Sequence, residues 1–276
     1  MTLVDSAAAP PSPSHLRTFF VLAFALTWGF GGLALVITAG IPDARPLTPS
    51  SPLYYVAAYS VSLAGIVLTA VYAGRDGMQA LGRRLLPWLS PLRWYLLVAG
   101  GYAAITAGTL GIAALVHPTA VALPSWPAFL AALAIASVKD PGPLGEEFGW
   151  RGFALPRLLA RHAPVVASLR LGLIHTAWHL PLFFIPGMPR AQVSFPLFTV
   201  GVVSIAVFNT ALYLRTGGNL LLALLIHLLA NICGGLALDA HALGVFLALE
   251  GVAAVLVLAL GGLKAPTVSA SAPGDA

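Results

Sequence analysis

Cysteine occurs once, at position 233, which excludes an intramolecular disulfide and any metal cluster built on thiolates. Cys233 lies in an apolar run, where a small buried thiol is the natural reading. Charge is nearly as scarce. Only 8% of the 276 residues are Asp, Glu, Lys or Arg, against about 25% in an ordinary soluble domain. That shortage excludes a conventional soluble enzyme and makes each charge inside an apolar run a question in itself. The helical zinc-protease signature H-E-x-x-H is missing, and no internal repeat is visible.

What fills the chain is hydrocarbon: 59% of residues are hydrophobic, and the mean hydropathy is +0.91. Windows of about 18 apolar residues with almost no charge read as transmembrane helices. Eight are expected, near residues 18–39, 52–73, 93–116, 124–140, 165–185, 195–214, 219–238 and 242–263. The fold class is all-α, a polytopic transmembrane helical bundle. Residues 1–14 and 264–276 are rich in Ala, Pro and Ser and read as disordered tails around one domain over 15–263. The first apolar stretch lacks a small-x-small cleavage site and reads as a span, not a removable signal.

The net charge of +5 is no nucleic-acid signature in such a chain; basic residues here set orientation. With the N-terminus in the cytosol, Arg17, Arg75, Arg83, Arg84, Arg93, Lys139, Arg151, Arg157, Arg161, Arg170, Arg215 and Lys264 fall inside. Only Arg45 and Arg190 of the 14 basic residues fall outside. Eight spans and this partition place both termini in the cytosol, and the composition points to a bacterial plasma membrane.

Against that background stands Gly145-Glu146-Glu147-Phe148-Gly149-Trp150-Arg151-Gly152. On a helix Glu147 and Arg151 are i,i+4 neighbours and can pair. Glu146 points about 100° away and stays free for chemistry. Pro141 and Pro143 around Gly142 should break the fourth span, so a separate helix over about 144–160 is expected to carry the glutamates.

Two further polar pairs interrupt apolar spans: His175 with His179, and His227 with Asn231, each at i,i+4 spacing. Such side chains are expensive in lipid and face a bundle interior or a cavity. At helical rise Glu146 lies between about 7.5 and 16 Å from the cytosolic surface, His179 about 13 Å and His227 about 12 Å. Three helices can therefore present these groups at one level.

A carboxylate with a histidine can hold and deprotonate a water, and a second histidine with an amide can stabilise an oxyanion. The same groups, as Glu146, His179 and His227, could instead ligate zinc with water in the open position. Both readings remain open from the residues alone.

GEEFGWRG, WHLPLF and HLLAN, in that order on separate hydrophobic spans, resemble the CPBP family of intramembrane proteases. That family includes the type II CAAX prenyl endopeptidases and Abi-like immunity proteins. Its E-E-x-x-x-R motif matches at Glu146, Glu147 and Arg151, its F-x-x-x-H motif at His179, and its H-x-x-x-N motif at His227 and Asn231. The resemblance is strong over about 124–238. It implies that Glu146 and His179 activate the water, that His227 and Asn231 hold the oxyanion, and that Glu147 and Arg151 support the helix. It implies a peptide or protein substrate, lipidated in the CAAX case, with zinc an open question. The sequence departs from the family at His175, where an aromatic ring is expected; packing in place of that ring is the first expectation. Glu250, alone in the last span, is covered by no motif. An ion- or proton-coupled transporter and a catalytically silent immunity or scaffold protein are the readings from other classes.

Overall fold

The computed structural model describes residues 13–38, 41, 51–86, 88, 90–116, 125–185, 193–236 and 240–264. The two expected tails fall almost wholly outside these residues. The first helix begins at Pro13, so the last two residues of the expected N-terminal tail are helical.

The described residues form helices and no strand. In chain order they are α1 (Pro13–Thr38), α2 (Pro52–Arg83), α3 (Leu92–Val116), α4 (Trp126–Lys139), α5 (Pro141–Glu147), a π-helical stretch (Phe148–Ala154), α6 (Leu155–Leu159), α7 (Pro164–Trp178), a 3₁₀ turn (Leu180–Phe183), α8 (Phe195–Thr216), α9 (Leu220–Gly235) and α10 (Ala240–Ala259). A helix answers each of the eight expected spans. Five of them (α1, α2, α3, α8 and α10) are long and apolar enough to cross a membrane. The remaining three, α4, α7 and α9, have 14, 15 and 16 residues.

Local chemistry sets the boundaries. Ser51 caps α2 by accepting from the Tyr54 amide at 3.3 Å, with Pro52 in the first turn, where its missing N–H costs nothing. Gly217 ends α8 in the left-handed conformation (φ 65°) that glycine adopts most readily. The expected break after α4 falls at Asp140. Its carboxylate accepts from the Gly142 amide at 2.9 Å, and Pro141 takes the first helical position of α5. The prolines thus start the glutamate helix, which begins three residues earlier than expected. The fifth span is likewise shorter than its hydropathy: α7 stops at Trp178, and Pro181 sits in a tight 3₁₀ turn.

Two apolar cores flank the glutamate helix. One packs Phe19 of α1 and Val61 and Leu68 of α2 around Trp150, Phe153 and Leu171. The other packs Tyr102 of α3 and Phe198 of α8 against Leu222, Ile226 and Phe246 of α9 and α10. The outer faces carry exposed Leu63, Val71, Leu96, Leu115, Leu173 and Val255. Such a surface suits lipid, as the all-α polytopic class requires.

Candidate active site

Gly145 and Gly149 lie four residues apart on the glutamate helix and let it approach α2 to backbone contact. A Cβ on Gly145 would stand 2.8 Å from the Ala58 carbonyl oxygen, and one on Gly149 2.4 Å from that of Val61. Gly65 of α2 answers, its would-be Cβ 2.7 Å from Gly149 Cα. This is the small-residue packing of membrane helices. The G-x-x-x-G spacing was available in the sequence and is a signal that the motif reading passed over.

From Phe148 the helix widens to π geometry, with the Leu155 amide bonding the Trp150 carbonyl. Arg84, just past the end of α2, takes up carbonyls of this stretch: Nη2 donates to Arg151 O at 2.8 Å and Nη1 to Gly152 O at 3.0 Å. Its Nε donates to Gly218 O at 2.6 Å in the α8–α9 turn. Burial pulls this guanidinium below its ordinary value, though an arginine keeps its proton.

The two adjacent glutamates part as their spacing requires. Glu147 is fully buried and its Oε1 accepts from Arg151 Nη1 at 2.7 Å and from His227 Nδ1 at 2.7 Å. Glu146, 3% exposed, turns toward α7. Its Oε2 accepts from His175 Nε2 at 2.7 Å, and its Oε1 stands 4.0 Å from His179 Nε2. His179 Nδ1 donates to the His175 carbonyl at 3.1 Å. A carbonyl can only accept, so that bond puts a proton on Nδ1, and in the neutral ring Nε2 then presents its lone pair toward Glu146.

His175 therefore differs from its first expectation. Its ring does lie among Trp150 and Trp178, but its Nε2 is spent on Glu146. An imidazole in place of an aromatic ring adds a donor that no phenyl could supply.

Beside the expected zinc ligands Glu146, His179 and His227 stands a second group that could hold a metal. Glu146, His175 and His179 each offer a ligand atom within 4.8 Å of the others, all buried, whereas His227 is directed by Nδ1 to Glu147. Two imidazoles and one carboxylate fit the three protein ligands of a catalytic zinc, and the His179 bond to a backbone carbonyl is the outer-shell support such a ligand has.

Asn231 Nδ2 donates to Asp140 Oδ2 at 2.8 Å. Asp140 thus caps α5 with one oxygen and holds Asn231 with the other. Motif reading missed it, although an aspartate before Pro-x-Pro is a visible cap signal. Gly142 lies beside this pair: a Cβ there would stand 2.8 Å from His227 Nε2 and 3.0 Å from Asn231 Nδ2. His175, His179, His227, Asn231 and Asp140 line one cavity of about 340 Å³. Glu146 and His179 also line a smaller one of about 40 Å³ between α1, α2 and the end of α7.

Residues 123–233, which hold all of these groups from Asp140 to Asn231, match the family model of type II CAAX prenyl endopeptidase Rce1-like proteins. A CAAX prenyl protease 2 from Methanococcus maripaludis is 28% identical over 93 residues. That match spans 32% of this chain and 34% of the relative, about a third of the relative's length. The resemblance read from the three motifs is borne out: over residues 123–233 this chain carries the sequence pattern of the Rce1-like CAAX prenyl endopeptidases of the CPBP family.

Proposed function

We propose that this protein is an intramembrane endopeptidase that hydrolyses a peptide bond with a water activated by Glu146 and His179, its site facing the cytosol. The observation that carries this reading is the 4.0 Å gap between Glu146 Oε1 and His179 Nε2. It is too long for a hydrogen bond and suited to a water touching both. With Nδ1 protonated, His179 offers Nε2 as a second acceptor for that water. Glu146 takes the proton, and the oxygen attacks the scissile carbonyl carbon. The carbonyl oxygen becomes an oxyanion, which accepts from a second Asn231 Nδ2 hydrogen and from Nε2–H of His227 in its doubly protonated form. Glu147 beneath Nδ1 stabilises that form. Collapse breaks the C–N bond, and Glu146 returns its proton to the departing amine.

His175 acts as a positioning residue, holding Glu146 through Oε2 so that Oε1 meets the water. Were zinc bound, Glu146, His175 and His179 would hold it, and it would supply a water of lowered pKa. The Methanococcus relative is a CAAX prenyl protease by name, so a prenylated peptide tail is the first substrate to assay, ahead of unlipidated peptides.

The test is cleavage by purified protein in detergent. Glu146→Gln keeps the shape and removes the base, and should lower turnover by about 10²–10⁴-fold with the melting temperature kept. Turnover near that of the unmodified protein in this variant would move the base elsewhere, and peptides left intact by both would favour a transporter or a silent scaffold.

A further inference from the structure

The chain contains three glutamates, and two of them are the adjacent pair already placed. The third, Glu250, sits midway along α10, 1% exposed, outside the segment that matches the family. It lines the same 340 Å³ cavity as His179, His227 and Asn231. Gly201 of α8 leaves the carboxylate open to that space, since a Cβ there would stand 3.2 Å from Glu250 Oε2. The Tyr102 hydroxyl of α3 is the polar group beside this carboxylate, and it brings no positive charge to it.

Among the described residues, those lining this cavity include two carboxylates, Asp140 and Glu250, and no lysine or arginine. Asp140 is satisfied by the Asn231 amide and the Gly142 N–H. None of the ion pairs among the described residues includes Glu250. A carboxylate buried in this way keeps its charge only when a cation or several donors meet it, so the charge and its partner come together. What enters the cavity is positioned to supply that cation, and a low-dielectric wall makes the attraction selective.

We propose that Glu250 forms a substrate subsite that receives a basic side chain, lysine or arginine, of the peptide lying in the cavity. This rests on the endopeptidase reading and adds a substrate class to it: a peptide with one cationic residue at a fixed distance from the bond cut.

The experiment uses fluorescein-labelled ten-residue Leu/Ala peptides with one lysine walked through the positions, against the same peptide with norleucine. Binding to the full-length protein in detergent is read by anisotropy, and cleavage is followed in parallel by mass spectrometry. One lysine position should bind about tenfold tighter or more than norleucine, and Glu250→Gln should abolish that preference while binding the norleucine peptide as before. Absence of a favoured lysine position, or a preference that survives Glu250→Gln, overturns the proposal. If Glu250→Gln does not fold, Glu250→Asp, which withdraws the carboxylate by one methylene, should weaken the preference; an unchanged preference overturns it. Lysine-selective binding without cleavage would sink the endopeptidase reading and leave the subsite. Cleavage indifferent to lysine would do the reverse.

Discussion

Glu147 Oε1 serves two donors at once, yet Glu147 Oε2 and Arg151 Nε and Nη2 are buried without hydrogen-bond partners. A network satisfied for stability would not leave three atoms idle, so this ion pair fixes geometry, aiming His227 and the helix below it. Removing one partner strands the other's charge. Glu147→Gln should cost about 3–5 kcal/mol, read as a lowered melting temperature in detergent, whereas Glu146→Gln should not. Equal melting temperatures for the two variants would reverse the roles given to the carboxylates. Gly142 permits a second test at this scale. Its missing side chain leaves the corner between His227 Nε2 and Asn231 Nδ2 open, where the oxyanion would form. Gly142→Ala should reduce turnover by about 10²–10³-fold, the loss of an oxyanion donor, with folding retained; unchanged turnover would place the oxyanion elsewhere.

At the scale of elements, the glutamate helix is pressed against α2 by glycines rather than by side chains. Gly149→Ala would drive a Cβ to 2.4 Å from a backbone oxygen that cannot step aside. The expected cost is about 1–3 kcal/mol, seen as a fall in melting temperature with activity lost in step. Gly29→Ala on α1, with nothing within 4 Å of its Cβ, is the control and should be neutral. Much of this element was legible beforehand. The i,i+4 pairing of Glu147 with Arg151 follows from spacing alone and survives the π-helical turn between them, because the arginine stem is long enough to absorb the shift. The π geometry was not legible: the Arg151 carbonyl within it is taken up by Arg84, a partner 67 residues away that the local sequence does not announce. Nor was the Glu146–His175 bond: periodicity puts His175 and His179 on one face but does not say which of them is nearer the carboxylate.

For the whole molecule, hydropathy located every long helix, and it overstated α7, where proline chemistry ends the helix before the apolar run ends. Orientation rests on the basic residues and can be tested simply because Cys233 is the chain's lone thiol. With Cys233 replaced by serine and single cysteines introduced, positions within 74–92 and 215–218 should react with membrane-impermeant maleimide only from the cytosolic side. Positions within 118–123 should react only from the opposite side. Labelling of 118–123 from the cytosol would overturn the orientation and with it the cytosolic access to the site.

The glycine seam against α2 has a consequence for the order in which a ribosome delivers the chain. Ala58, Val61 and Gly65 are synthesised some eighty residues ahead of the glutamates they receive. His175, His179 and His227 follow the glutamates by 28 to 81 residues. For that interval the nascent protein holds two acids in or near the bilayer, with Arg151 as the only partner from their own motif. A pre-existing berth on α2, made of backbone and therefore available as soon as that helix inserts, lets the carboxylates wait in the right place for the histidines still to be translated.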